Sequence, residues 1–190
     1  MKQSEVNLVC REAAIRFEKH EWALPPKPQF AATDFGLGDY KKAGLVEVLL
    51  ANEPEYCEKI MYARKDMVTP VHTHRQKKED IICRVGSLRL RLWSSNPRET
   101  ETTGPVVVRV NGEERTVKSG EPFLLHPGER ITLTPGIWHE FVPASDYCLI
   151  GEVSTWCDEA HDNFFADPAI DIFQAIDPDE AATLPGQSVK

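Results

Sequence analysis

Four residues have the types and the spacing to hold a divalent metal ion: His72, His74, Glu79 and His139. His72 and His74 flank one residue in Val71-His72-Thr73-His74. Residues i and i+2 of a strand project from the same face, so the two imidazoles can converge on one point. Glu79 follows five residues after His74, close enough beyond a turn to add a carboxylate oxygen. His139 follows Thr134-Pro135-Gly136 and would supply the fourth ligand on a later strand, from across a barrel. Three neutral imidazoles and one carboxylate suit Mn, Fe, Co, Ni or Zn, and in octahedral geometry they leave two cis positions for a substrate. Such a set is catalytic in type.

Taken alone, a His-x-His is more often two surface or hydrogen-bonded histidines. The wider pattern reverses that reading. His72-x-His74-x(4)-Glu79-x(6)-Gly86, then Gly128 and Pro135-Gly136-x-x-His139, resembles the two cupin motifs in order and spacing. Asp66 stands where the first motif usually begins with glycine, which alters a turn and no ligand. His126 lies in a Pro-Gly turn and His20 at a helix end, so both read as solvated structural residues, whereas His161 stands among acidic residues.

The elements that must position these groups are mostly strands. Ser4 to about Glu18 spaces Val6, Val9, Cys10, Ala13, Ala14 and Phe17 as one amphipathic helix, with Ser4 as candidate N-cap. Leu24-Pro25-Pro26-Lys27-Pro28 forbids helix and predicts an extended connector. From Gly44 the chain runs as ten short apolar stretches: GLVEVLL, CEKIMYA, DIICRV, SLRLRLW, VVVRV, RTV, FLL, RITL, EFV and CLIGEV. Strands without intervening helices imply a β-barrel or sandwich, and Asn111-Gly112 marks a tight hairpin. With the cupin motifs, the expectation is one domain over residues 1–190: a helix at about 4–18, a jelly-roll β-barrel at about 44–156 and an irregular extension at about 157–190. That extension is acidic, contains Pro168, Pro178 and Pro185, and is expected to pack loosely.

Composition narrows the partners. Thirty acidic against 22 basic residues give a net charge of −8, which repels a phosphate backbone, so nucleic acid is not an expected partner. No apolar run approaches the roughly 18 residues of a membrane span, and the polar start MKQSEVN lacks a signal peptide's apolar stretch. The expected location is the cytoplasm. Five scattered cysteines with no C-x-x-C pair read as buried free thiols.

Charged residues near the ligands are candidates for catalysis. Lys77 and Lys78 lie between His74 and Glu79, Lys59 is on a preceding strand, and Glu152 and Asp162 follow His139. Glu152 sits inside the apolar run CLIGEVS. Burial there would raise its pKa toward general-base range, unless a hydrogen bond to a neighbouring loop explains it structurally.

The chain resembles the D-lyxose isomerase family of cupin sugar isomerases. The resemblance is carried by Thr33-Asp34-Phe35-Gly36-Leu37-Gly38-Asp39, Glu58-Lys59-Ile60, Thr69 to His74, Lys77-Lys78-Glu79-Asp80-Ile81-Ile82, Gly151-Glu152-Val153-Ser154 and Asp162-Asn163-x-Phe165. It implies a manganese-dependent aldose–ketose isomerase, dimeric, acting on D-lyxose and D-xylulose or on D-mannose and D-fructose. Metal ligands would be His72, His74, Glu79 and His139, with Lys77 and Glu152 catalytic and Lys59 and Asp162 at the sugar. In that chemistry a bound ion draws charge from the C1 and C2 oxygens and acidifies the C–H bond, while Glu152 and Lys77 move protons. The same ligand set also fits an Fe(II) oxygenase, and a non-catalytic sugar-binding cupin is the reading from another class.

Overall fold

The short alternating runs become strands, and the helical spacing near the start becomes a helix. The computed structural model describes residues 1–101 and 104–184 and the backbone of 188–189. Helix α1 (Gln3–Lys19) precedes β1 (Gln29–Thr33), β2 (Leu45–Asn52), β3 (Cys57–Arg64), β4 (Thr69–Thr73) and β5 (Glu79–Val85). Then follow β6 (Leu88–Trp93), β7 (Pro105–Val110), β8 (Glu113–Lys118), β9 (Phe123–Leu125) and β10 (Arg130–Leu133). β11 (Trp138–Pro143), β12 (Tyr147–Ser154), β13 (Phe164–Phe165) and β14 (Ser188–Val189) complete the described elements. All ten expected runs are strands. The additional ones are β1, β4, β13 and β14, and β4 carries His72 and leads into His74 in a run, TPVHT, too polar to stand out by alternation.

Hydrogen bonding divides these strands into two sheets, where a closed barrel was one expectation. The larger has the order β14-β1-β2-β3-β12-β5-β10-β7-β8, the smaller β13-β4-β11-β6-β9. They face each other as a cupin-type sandwich, with Leu88, Leu90, Leu92, Leu125, Ile131 and Ile150 fully buried in its core. Asn111 and Gly112 have φ of 54° and 85°, as the tight hairpin between β7 and β8 requires. Asp66 keeps a left-handed φ of 61°, so the turn survives without its glycine; aspartate is among the residues that tolerate this region.

The outer face of the larger sheet receives α1, whose Val6, Val9, Cys10, Ala13 and Phe17 are buried at helical spacing. Ser4 is not the N-cap. Lys2 is, with its backbone N–H donating to the Glu5 carboxylate at 3.0 Å, while the Ser4 hydroxyl donates to Asp179 at 2.7 Å. The C-terminal extension is correspondingly not loose over its described length. Gln3 N–H donates to Asp177 O at 2.8 Å, Asn7 donates to Ala181 O at 2.8 Å and Thr183 N–H donates to Asn7 at 3.0 Å. Polar side chains on the helix supply the partners that the tail's backbone needs. Pro185 lies outside the described residues. No helix among the described residues is long and apolar enough to cross a membrane.

Candidate active site

The smaller sheet supplies the histidines. β4 ends at Thr73, with His72 inside it and His74 just beyond, and β11 pairs with β4 so that His139 lies opposite His72. The rings of His72 and His139 are 4.1 Å apart, those of His72 and His74 5.3 Å. The carboxylate comes from the facing sheet: Glu79 opens β5 and brings Oε1 to 3.1 Å from His139 Nε2 and 3.6 Å from His74 Nε2. Thus Glu79 crosses the sandwich, and His139, expected from across, is a neighbour of His72. One ligand atom from each of the four buried residues falls within 4.8 Å of the others.

Hydrogen bonds fix which ring nitrogens converge. Nδ1 of His72 donates to Pro70 O at 2.7 Å, Nδ1 of His74 to Asp162 O at 2.5 Å and Nδ1 of His139 to Ile137 O at 3.1 Å. A neutral imidazole protonated at Nδ1 leaves Nε2 bare. Burial, reinforced by neighbouring charge, pulls the pKa of His72 well down, and burial likewise lowers that of His74. Burial opposes ionisation of Glu79, but Lys77 and His74 outweigh it and hold the carboxyl well below its usual range. His74 Nε2, His139 Nε2 and Glu79 Oε1 are buried without a hydrogen-bond partner. Bare acceptors packed this closely repel one another unless they share a cation, so these residues fit a divalent ion.

Inner-face positions on three strands of the larger sheet carry further charges. Register places Glu152 of β12 opposite Lys59 of β3 and beside β5, and Glu47 of β2 opposite Met61. Lys77 Nζ lies between two carboxylates, 2.8 Å from Glu79 Oε2 and 3.0 Å from Glu152 Oε1. Lys59 Nζ is 3.8 Å from Glu152 and 3.9 Å from Glu47, and pairs closely with Glu159. Burial raises the Glu152 pKa as its apolar run suggested, but Lys59 and Lys77 outweigh that and leave it below the ordinary value. Its partners are therefore two ammonium groups, which sequence did not pair with it. Burial opposes protonation of both lysines, yet Glu152 and the neighbouring carboxylates raise their pKa values instead. The formal charges of four carboxylates and two ammonium groups leave −2, which a divalent cation would balance.

The segment after β12 closes the site. Asp162 is 2% exposed, and its carboxylate accepts from the backbone N–H groups of Arg75, Gln76 and Lys77 at 2.8 to 3.2 Å while its carbonyl holds His74. Asp162, expected to meet sugar, faces the β4–β5 loop. Lys78 is exposed, and His161 and His126 are also exposed, away from the ligands. His20 is half-buried against Tyr147, 2.8 Å from its hydroxyl. Sequence reading did not single out Glu47 or Glu159. Glu47 carries the same mark as Glu152, a carboxylate within an apolar run, whereas Glu159 lies in a polar loop with no local mark.

His72, His74, Glu79, Lys77 and Glu152 border a cavity of about 50 Å³, whose other walls include Phe35, Leu45, Phe141 and Phe165. A wider open cleft of about 750 Å³ is lined in part by Lys78, Asp80, Arg109 and Arg130. It contains none of the three histidines, and its Arg130 pairs with Asp80. Glu79 lines both, while His72 and His74 line only the smaller cavity.

Comparison with known proteins identifies the family. The family model described as D-lyxose isomerase matches residues 30–185. The chain is 32% identical over 218 residues to the D-lyxose/D-mannose isomerase of Escherichia coli O157:H7, covering 97% of this chain and 96% of that protein. It is also 32% identical over 214 residues to the D-lyxose/D-mannose isomerase of Serratia proteamaculans, covering 95% and 93%. The solved structure of Cellulomonas parahominis L-ribose isomerase with L-ribose shares the fold, with a TM-score of 0.68 at 18% identity over 90% of this chain and 94% of that one. With one family model spanning most of its length and relatives matched nearly end to end, the chain belongs to the D-lyxose isomerase family.

Proposed function

We propose that this protein interconverts an aldose and its ketose, with D-lyxose and D-xylulose, or D-mannose and D-fructose, as the substrate pair and Mn(2+) as the metal. The observation that carries the reading is Lys77 Nζ held between Glu79 and Glu152, beside the ligand cluster. A site built only to bind sugar has no need of a buried carboxylate and ammonium next to a metal. The E. coli and Serratia relatives, named for D-lyxose and D-mannose, support the choice of sugars.

When bound, the metal would supply Lewis-acid stabilisation of charge developing on the C1 and C2 oxygens. His72, His74, Glu79 and His139 would hold it. Glu152 takes the proton from one of these carbons, exchanges it with water and delivers a proton to the other. Lys77, an ammonium with three donors, aligns Glu152, gives a proton to the oxygen that becomes a hydroxyl and takes one back from the oxygen that becomes the carbonyl. Lys59, with Glu47 and Glu159, meets hydroxyls farther along the chain. Asp162 acts indirectly, fixing the loop that carries Lys77 and the ring of His74.

The test begins with chelator-stripped protein, reloaded with single divalent ions and incubated anaerobically with D-xylulose in deuterated water. The expected product is D-lyxose deuterated at C2, formed fastest with manganese. Turnover without deuterium at C2 would replace proton transfer by a hydride shift. A requirement for oxygen would identify an oxygenase.

A further inference from the structure

The cavity has a charged wall and an aromatic wall, and the chemistry above uses only the first. On the second, the Phe165 ring is 5.6 Å from that of His72, and the Phe35 ring lies edge-on to Phe165 at 6.1 Å. Three rings are thus linked, His72 to Phe165 to Phe35, and all three line the cavity.

Phe35 is 4% exposed and has φ of 57°, a left-handed conformation that glycine, asparagine and aspartate adopt far more readily than a bulky aromatic residue. Such strain persists only where the surroundings over-determine it, and it concentrates at functional sites. Here those surroundings are specific. Thr33 Oγ1 accepts the Phe35 N–H at 2.8 Å, Asp34 Oδ1 accepts the Gly36 N–H at 3.0 Å, and Phe35 O accepts the Asp171 N–H at 3.1 Å. Gly36, with φ of 73°, permits this approach, since a Cβ there would stand 2.6 Å from Asp171 O. Two side-chain hydrogen bonds, one backbone bond and a glycine hold a single ring against the cavity.

We infer that Phe35 is a specificity-determining residue whose ring limits the length of sugar the site accepts. The inference rests on the sugar-isomerase reading. A cavity of about 50 Å³ is far below the roughly 300–1,000 Å³ of ordinary ligand pockets, so each wall residue restricts what enters. The charged wall takes hydroxyls, and the aromatic row takes the apolar C–H face. A carbon added at the end of the sugar remote from the metal meets Phe35.

D-Lyxose and D-mannose share their configuration at C2 to C4 and differ by one terminal CH₂OH, which makes them a length probe. In the manganese-loaded enzyme, Phe35→Ala should raise the ratio of kcat/KM for D-mannose over D-lyxose at least tenfold, within the range one carbon contributes in an apolar pocket. Phe35→Leu, which retains a buried apolar side chain, should shift the ratio the same way by at least threefold, and it decides the matter if Phe35→Ala does not fold. A ratio equal to wild type overturns the inference, even where both rates fall together.

Calorimetric titration with D-mannitol and D-arabinitol reads the same wall without turnover. Phe35→Leu should tighten D-mannitol relative to D-arabinitol, and an unchanged ratio of Kd values overturns the inference. Wild-type protein that binds the polyols but isomerises no sugar would instead refute the isomerase reading, leaving the polyol ratio to judge Phe35.

Discussion

The two faces of the larger sheet are made by the same strands and obey different rules. Along β3, Met61 lines the cavity and Lys59 pairs with Glu152 on the same face, while Ile60 and Tyr62 face the other way, toward α1, and along β12 Glu152 faces inward beside an outward Gly151. The outer face is sealed by apolar burial around Phe17, which is 0% exposed. The inner face buries Lys59, Lys77, Glu79 and Glu152, whose desolvation is unfavourable and is offset by pairing and by the proposed ion. The period-two alternation of a strand lets stability and chemistry occupy opposite sides of one sheet, so a substitution on one side should leave the other largely intact.

The largest effect should follow from Glu152→Gln, which preserves shape while removing the carboxylate. Loss of a general base lowers kcat by about 10²–10⁴-fold. Metal content should be unchanged because Glu152 is not among the four ligands, and Lys77 retains Glu79 as a partner. The melting temperature should fall only modestly, since Lys59 and Lys77 each keep another carboxylate partner. Steady-state rates, metal analysis and a thermal melt on one preparation test this. A variant that melts far below wild type would erase the division between the faces, and near-native turnover would remove Glu152 from the mechanism.

How far this division was legible beforehand depends on the residue. The ligands could be read because His-x-His on a strand and a following glutamate are local, and strands alternate in a fixed way. Glu152 was noticed because a carboxylate is conspicuous in CLIGEV, yet its environment was misjudged: Lys59 and Lys77 are 93 and 75 positions away and meet it only through β3–β12 register and the β5 approach. Register also decided that His139 neighbours His72, a pairing no spacing encodes. The role of Asp162 and the docking of the tail on α1 escaped for the same reason, since their partners are backbone amides far along the chain. Of the site, the cluster that could hold a metal was legible and its supporting hydrogen bonds were not.

On the outer face, Phe17→Ala should be the counterpart to Glu152→Gln. Removing a fully buried phenylalanine costs about 3–5 kcal/mol, or roughly 10 °C in a domain of this size. Specific activity measured well below the melt should stay within about twofold of wild type, because α1 contributes no residue to the cavity lining. A large change in kcat at low temperature would mean that helix docking tunes the site through the sheet, and the two faces would no longer be separable.

The smallest and most selective test uses an ionic group on the helix, Glu12, that bonds back to β3. The Glu12 carboxylate accepts from the Tyr62 hydroxyl at 2.5 Å and from Arg64 Nε at 2.9 Å. Burial pushes the Glu12 pKa up, but the Arg64 and Tyr62 hydrogen bonds outweigh it, so the folded-state value lies below 4.5. A carboxylate with a depressed folded pKa contributes stability that is complete above its unfolded value and is lost as pH falls through the folded one. Partial exposure screens the pair, so Glu12→Gln should cost only about 1 kcal/mol at neutral pH. The melting-temperature gap between wild type and variant should then close on acidification below about pH 4.5, with kcat unaffected at neutral pH. A gap that persists at low pH would assign the loss to the shape of the amide, and would place the helix–sheet junction among contacts held by packing alone.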